Sequence, residues 1–169
     1  MRLLTWVALV LLLLASPSSA KWTTSDSKDE MTGKRSCYAH SASTTPNEQM
    51  GFPYHDVTAW LGFGCSGTSE WAYIGFSTNP NLTGTTIGDG YNTLATRIKW
   101  DDHVETVHLT QTWGASFIHF QNDSSAIAKM RGASTVLLEL PWYGEGKVYF
   151  RFSLDGSSSA ISAARACCR

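Results

Sequence analysis

Short runs in which apolar and polar side chains alternate recur along most of this chain, the pattern of strands with one buried face. The clearest is Leu94 to Asp101. There Leu94, Thr96, Ile98 and Trp100 fall on one face, and Arg97, Lys99 and Asp101 on the other. Ser134 to Leu140 puts Val136, Leu138 and Leu140 on one side. Lys147 to Leu154 turns Val148, Phe150, Phe152 and Leu154 inward and Tyr149, Arg151 and Ser153 outward. Further strands are predicted over Arg35–Ser41, Val104–Thr110 and Ser116–Gln121. Ala59–Gly64 and Glu70–Phe76 read as a hairpin around Ser66-Gly67-Thr68. Ser77–Asn92, rich in Asn, Thr, Gly and Pro, reads as a long loop.

Two segments change to helical spacing. Asp123–Arg131 has Asp123 as its N-cap, Gly132 just past its end, and Ile127 and Met130 on one face. Ser157–Cys168 is capped by Ser157 or Ser158 and carries Ile161, Ala164 and Cys168 in one stripe. The expectation is a mainly β fold: an antiparallel β-sandwich or open barrel with two short helices, one at the C-terminus. Where their strands are neighbours, Arg97, Glu139 and Arg151 meet as cross-strand ion pairs.

The first twenty residues depart from this pattern. Met1-Arg2 is a short basic start, Leu3 to Ala15 is almost wholly apolar, and Ser16-Pro17-Ser18-Ser19-Ala20 supplies a break and small residues. That is the layout of a cleavable secretory signal, and the apolar run is short for a membrane span. Residues 1–20 are therefore expected to be removed after Ala20. A single β-rich extracytoplasmic domain, 21–169, then remains, periplasmic or secreted and without a stable membrane span.

Cleavage removes one base, Arg2, and no acid, taking the formal charge from −1 to −2. Basic residues are scattered and form no run that would track phosphates, so nucleic acid and anionic membrane are poor partners. The mature part carries Trp22, Trp60, Trp71, Trp100, Trp113 and Trp142, which suit sheet cores first and sugar or peptide recognition second. The four cysteines are Cys37, Cys65, Cys167 and Cys168. An even count in an exported chain predicts disulfides. A bond between neighbours 167 and 168 needs a strained ring. The two remaining pairings both tie the C-terminus to Cys37 and Cys65, and sequence leaves the choice open. On a helix, adjacent cysteines point about 100° apart, which suits two different partners.

No specific catalytic constellation is present. Gly64-Cys65-Ser66-Gly67 lacks the spacing of a nucleophile elbow, and there is no H-E-x-x-H or glycine-rich phosphate loop. The most suggestive polar cluster is Asp101, Asp102, His103 and Glu105, with His108 close behind. Strand parity turns Glu105 away from His108, and Asp101-Asp102 reads more simply as a hairpin turn. His119, between Ile118 and Phe120, is expected to face water beside Phe117. No cofactor and no metal are expected. Trp113 and Trp142 are binding candidates, together with the loop Ser77–Asn92. Asn81-Leu82-Thr83 and Asn122-Asp123-Ser124 match the glycosylation sequon.

Several segments in order carry a resemblance. Trp22 to Gly33 fits W-x-x-S-x-S-x-D-x-M-T-G. Arg97-Ile98-Lys99-Trp100-Asp101 follows, then Trp113. Val136 to Tyr143 ends in Pro141-Trp142-Tyr143, and Phe152-Ser153-Leu154-Asp155-Gly156 runs through Ala160-Ile161 to Cys167. In order and spacing these resemble the small exported proteobacterial and phage proteins of the TagO/VasI type, associated with type VI secretion. Cys37 and Cys168 are additional to that pattern. The resemblance implies a β-rich, non-catalytic periplasmic accessory or binding module whose partner is an envelope or secretion-machinery protein. The competing expectations are an extracytoplasmic hydrolase acting on cell wall or glycan, and a secreted inhibitor or adhesin.

Overall fold

A computed structural model describes residues 22–169. The signal segment and its cleavage point lie outside the described residues. Ten strands and two helices follow in order: β1 Thr23–Lys28, β2 Arg35–His40, β3 Ala59–Ser66, β4 Ser69–Phe76, β5 Thr86–Ile87, β6 Tyr91–Trp100, β7 His103–Thr112, β8 Phe117–Phe120, α1 Asp123–Gly132, β9 Thr135–Trp142, β10 Gly146–Ser153 and α2 Ser157–Cys168. The strands form one antiparallel sheet in the order β1-β2-β3-β4-β8-β7-β6-β9-β10, with β5 paired to β6. The chain is mainly β, as its alternating pattern requires.

The sheet curls into a half-barrel. After β2 the chain runs on along β3, where Thr44 and Ala59 exchange hydrogen bonds at 2.8 and 2.9 Å. It then bridges to the far edge, pairing Pro46 with Phe150 and donating from the Asn47 amide to the Tyr149 carbonyl at 2.8 Å. The edge of β10 is thereby tied back toward β3. The concave face holds the core, in which Leu61, Phe63, Ile74, Ile98, Leu109, Ile118, Leu138, Leu140, Phe150 and Phe152 are almost wholly buried. Each such side chain contributes roughly 1.5–3 kcal/mol of burial.

The helices cover the inner face where the curl is open. α2 lies against β1, β2 and β3 through Ile161 and Ala164, and α1 lies against β4 and α2. The Ser157 hydroxyl donates to the Met130 carbonyl at 2.5 Å and joins the two helices. Cys37 and Cys65 are direct register partners on β2 and β3, both pointing inward. Cys167 bonds Cys37 and Cys168 bonds Cys65, so the last turn of α2 is stapled to two neighbouring strands. Disulfides accord with an oxidising, extracytoplasmic compartment. Among the described residues no helix is long and apolar enough to cross a membrane.

Local differences from the sequence pattern have local causes. β1 escapes it because every one of its residues is exposed, leaving no apolar face to alternate. β5 lies inside the predicted loop 77–92, which is also stitched down: the Thr83 amide donates to the Pro141 carbonyl and the Tyr143 amide to that of Asn81. The cap of α1 is Asn122, whose Oδ1 accepts from the Ser125 amide at 3.1 Å. The Asp123 carboxylate is drawn instead to the Ala72 amide at 2.7 Å, one residue past the last β4–β8 pair. Neither serine caps α2. Gly156, at φ 84°, holds that place, and Ser157 is committed to Met130. Of the predicted ion pairs, Arg97–Glu139 forms across β6 and β9, with Lys147 and the Tyr149 hydroxyl also on Glu139. Arg151 stands opposite Leu137 and joins no ion pair among the described residues.

Candidate functional site

The outward face of the β3–β4 hairpin is built from a repeating exchange between glycines and aromatic rings. Inward positions carry Leu61, Phe63 and Cys65 on β3 and Ala72, Ile74 and Phe76 on β4. Outward positions carry Trp60, Gly62 and Gly64 facing Gly75, Tyr73 and Trp71 across the pair. Each ring lies across the glycine opposite it: Trp71 over Gly64, Tyr73 over Gly62 and Trp60 over Gly75, in the space a β-carbon would take. A glycine under an aromatic ring lets the ring lie down on the strand and pins the register of the hairpin.

Neighbouring strands extend this surface. Tyr38 on β2 stands opposite Gly64 and meets Trp71 edge-on, with ring centroids 6.1 Å apart. Phe117 on β8 meets Trp60 at 6.1 Å and Tyr73 at 5.7 Å, both edge-on. Tyr73 is the buried centre of the group, and burial pushes its phenol up to about 12, so it stays neutral. Trp60, Trp71 and Tyr38 are half-buried and Phe117 is 42% exposed. His119 faces water beside Phe117, and desolvation lowers the pKa of its imidazole.

The rim is made of hydroxyls and imidazole. Thr23, Ser25 and Ser27 on β1 face outward opposite His40, Tyr38 and Ser36 on β2. The outward positions of β1, β2, β3, β4 and β8 hold no Asp, Glu, Lys or Arg. Charged side chains border the Trp71 end, where Lys28, Asp29 and Lys34 line a shallow groove of about 410 Å³. At the other end a groove of about 580 Å³ runs beside Trp60, lined by Thr23, His40 and Ser41–Ser43.

The polar residues singled out from sequence are distributed differently. Asp101 sits in the β6–β7 turn at φ 49°, and its carboxylate accepts from the amides of Ser134 and Thr135 at 3.0 and 2.8 Å. Those backbone bonds hold its pKa below the usual carboxylate value. Asp102 is fully exposed and lies 3.6 Å from Lys99. His103 opens β7 and is exposed. Glu105 turns inward, pairs with Lys129 of α1 and accepts from the Trp100 indole at 2.9 Å. The Lys129 bond, with the indole bond in support, holds its carboxyl below the usual range. It borders a cleft of about 310 Å³ between β7 and α1, also lined by His108, Gln121 and Asn122. Asp101, Asp102 and Glu105 are thus each committed to a different partner. Among the described residues no three His, Cys, Asp or Glu side chains gather as around a metal ion.

Of the two tryptophans named from sequence, Trp113 is exposed and its indole donates to Asn92 at 3.1 Å. Trp142 is corrected: it is 1% exposed, in the core against Phe76, Phe150 and Tyr54. It shares the inward parity of Val136, Leu138 and Leu140, so the strand continues two residues further than its alternation was followed. The aromatic face itself was not foreseen. Its signal was the outward parity of Trp60, Gly62 and Gly64 beside that of Trp71, Tyr73 and Gly75, in which glycines interleave with rings.

Compared with known proteins, the chain matches no family model, no curated protein and no solved structure.

Proposed function

We propose that this protein is an exported, non-catalytic binding module that engages its partner through the aromatic outer face of β2, β3, β4 and β8. The observation that carries this is a partly exposed ring surface, free of formal charge, on the side of the sheet that neither helix covers. Monomeric proteins seldom leave large contiguous apolar surface uncovered unless it serves binding. The double staple of α2 adds rigidity beneath that surface, and rigid scaffolds lower the ordering cost of recognition. The paired cysteines support export, and the resemblance to TagO/VasI-type proteins supports a periplasmic setting near envelope or secretion machinery.

The test is affinity capture from the native envelope, using the oxidised mature chain as bait with crosslinking and mass spectrometry. Crosslinks mapping to the aromatic face, and lost in Tyr38→Ala/Phe117→Ala, are expected. Recovery of the same partners by that variant, or crosslinks confined to the Glu105 cleft, refutes the assignment of this face.

A further inference from the structure

We infer that the aromatic face takes a neutral, extended carbohydrate, a β-1,4-linked pyranose chain. This inference rests on the binding role proposed for the face. Three observations narrow the ligand. First, glycines lay the rings of Trp60 and Trp71 across the strands, so they offer broad faces rather than protruding knobs. The axial C–H bonds of a pyranose match a flat π face.

Second, the charge is wrong for other classes. A nucleic acid strand needs a positively charged track beside its stacking rings, and an anionic membrane needs clustered Lys and Arg. The outward positions of β1, β2, β3, β4 and β8 carry neither. What borders the rings instead is hydroxyl and imidazole, from Thr23, Ser25 and His40, the donors and acceptors that sugar hydroxyls require. Charge complementarity therefore favours a neutral, hydroxyl-rich ligand.

Third, the rings form a track. Trp71 over Gly64 and Trp60 beside Gly75 sit four strand positions apart along β3, a span of ~14 Å. Grooves continue the track at both ends, past Trp71 beside Ser27 and Ser36 with Lys28, Asp29 and Lys34 at its margin, and past Trp60 beside His40 and Thr23. That length suits an oligosaccharide over a single sugar. Rings laid along one strand direction suit equatorial β-1,4 linkages, which make a flat ribbon, over the curved chains of α-linked sugars. Pinning the register explains one ring for each glycine. A second ring flanks two of those glycines, Tyr38 opposite Gly64 on β2 and Phe117 opposite Gly75 on β8, and these extend the surface beyond one ring for each glycine.

The experiment is titration of the oxidised mature protein with cellotetraose, the N-acetylglucosamine tetramer and, as control, maltotetraose, read by calorimetry and tryptophan fluorescence. Binding of a β-linked tetramer with a change in tryptophan emission, and weaker binding of maltotetraose, is expected. Trp71→Ala and Trp60→Ala are each expected to weaken binding by about tenfold or more, the size of a truncated aromatic anchor. Because Trp71 and Trp60 are the rings nearest Gly64 and Gly75, Tyr38→Ala/Phe117→Ala removes ring surface while leaving those covers in place, and is expected to weaken binding as well. Absence of binding by both β-linked tetramers at about 10 mM, a concentration that would reveal even millimolar affinity, overturns the inference. So does undiminished binding by all three variants. Crosslinked envelope proteins lost in the same double variant, with no saccharide bound, overturn the carbohydrate ligand and leave the binding face standing. Loss of neither overturns both.

Discussion

Removing the two disulfides one at a time and together is expected to give a pattern set by topology. Each bond closes a long loop, with sequence separations of 130 for Cys37–Cys167 and 103 for Cys65–Cys168. Alone, either closure restricts the unfolded chain by about 5 kcal/mol on the loop-entropy estimate. They are not independent, because their ends are register partners on β2 and β3 and neighbours on α2. With one bond in place, the second closes a ring of only ~30 residues, from Cys37 to Cys65 and back through the adjacent C-terminal cysteines, worth about 3.5 kcal/mol. Either single removal is therefore expected to cost about 3.5 kcal/mol despite the different separations, and double removal more than twice that. Cys37→Ala/Cys167→Ala, Cys65→Ala/Cys168→Ala and the quadruple variant would be compared by urea denaturation, each fitted with its own m-value, which rises as the unfolded chain loses its cross-links. Single removals differing by several kcal/mol, or a quadruple variant no less stable than either single one, refutes the coupled-loop reasoning.

Three further predictions concern the hairpin, the carboxylates and the tryptophans. Gly64→Ala forces the Trp71 ring off its strand and is expected to cost about 1–3 kcal/mol. Adding Trp71→Ala should then cost less than the separate effects combined, which a double-mutant cycle by thermal melting checks. Glu105 and Glu139 are held below the ordinary carboxyl value of 4.5, by Lys129 and by Arg97 respectively. The unfolded chain then binds more protons than the folded one, so their contribution is complete above about pH 5 and is lost as pH falls through and below 4.5. Glu105→Gln is expected to cost about 1 kcal/mol at pH 7 and to flatten the acid limb of a stability–pH curve; an unchanged slope counters it. Trp142→Ala should cost about 3–5 kcal/mol by opening a core cavity, whereas Trp113→Ala should stay within about 0.5 kcal/mol, both read by urea denaturation.

Alternation along the chain was enough to locate most strands, because a half-buried strand must repeat with period two wherever one of its faces meets the core. It found β6, β9 and β10 with the correct faces inward. It missed β1, where nothing is buried, and β5, two residues held by pairing alone. Capping failed where two side chains competed for roles. Asn122 and Asp123 are both good caps, and only the nearby Ala72 amide decides which one is left for the helix. The aromatic face was hidden for a related reason. Trp60, Trp71 and Tyr73 are as ordinary in sequence as any core aromatics, and their outward orientation follows from parity only once Leu61, Phe63 and Ile74 are known to be inside.

Local rules acting on neighbouring residues thus determine the β class and the two helices, since propensity, periodicity and turn chemistry need no distant partner. The order of the strands, the curl that brings Pro46 back to Phe150, the pairing of Cys37 with Cys167, and the gathering of Tyr38, Trp60, Trp71 and Phe117 on one surface were decided only by tertiary structure. Each joins residues far apart in the chain, and which ones meet depends on how all the apolar faces can be buried at once.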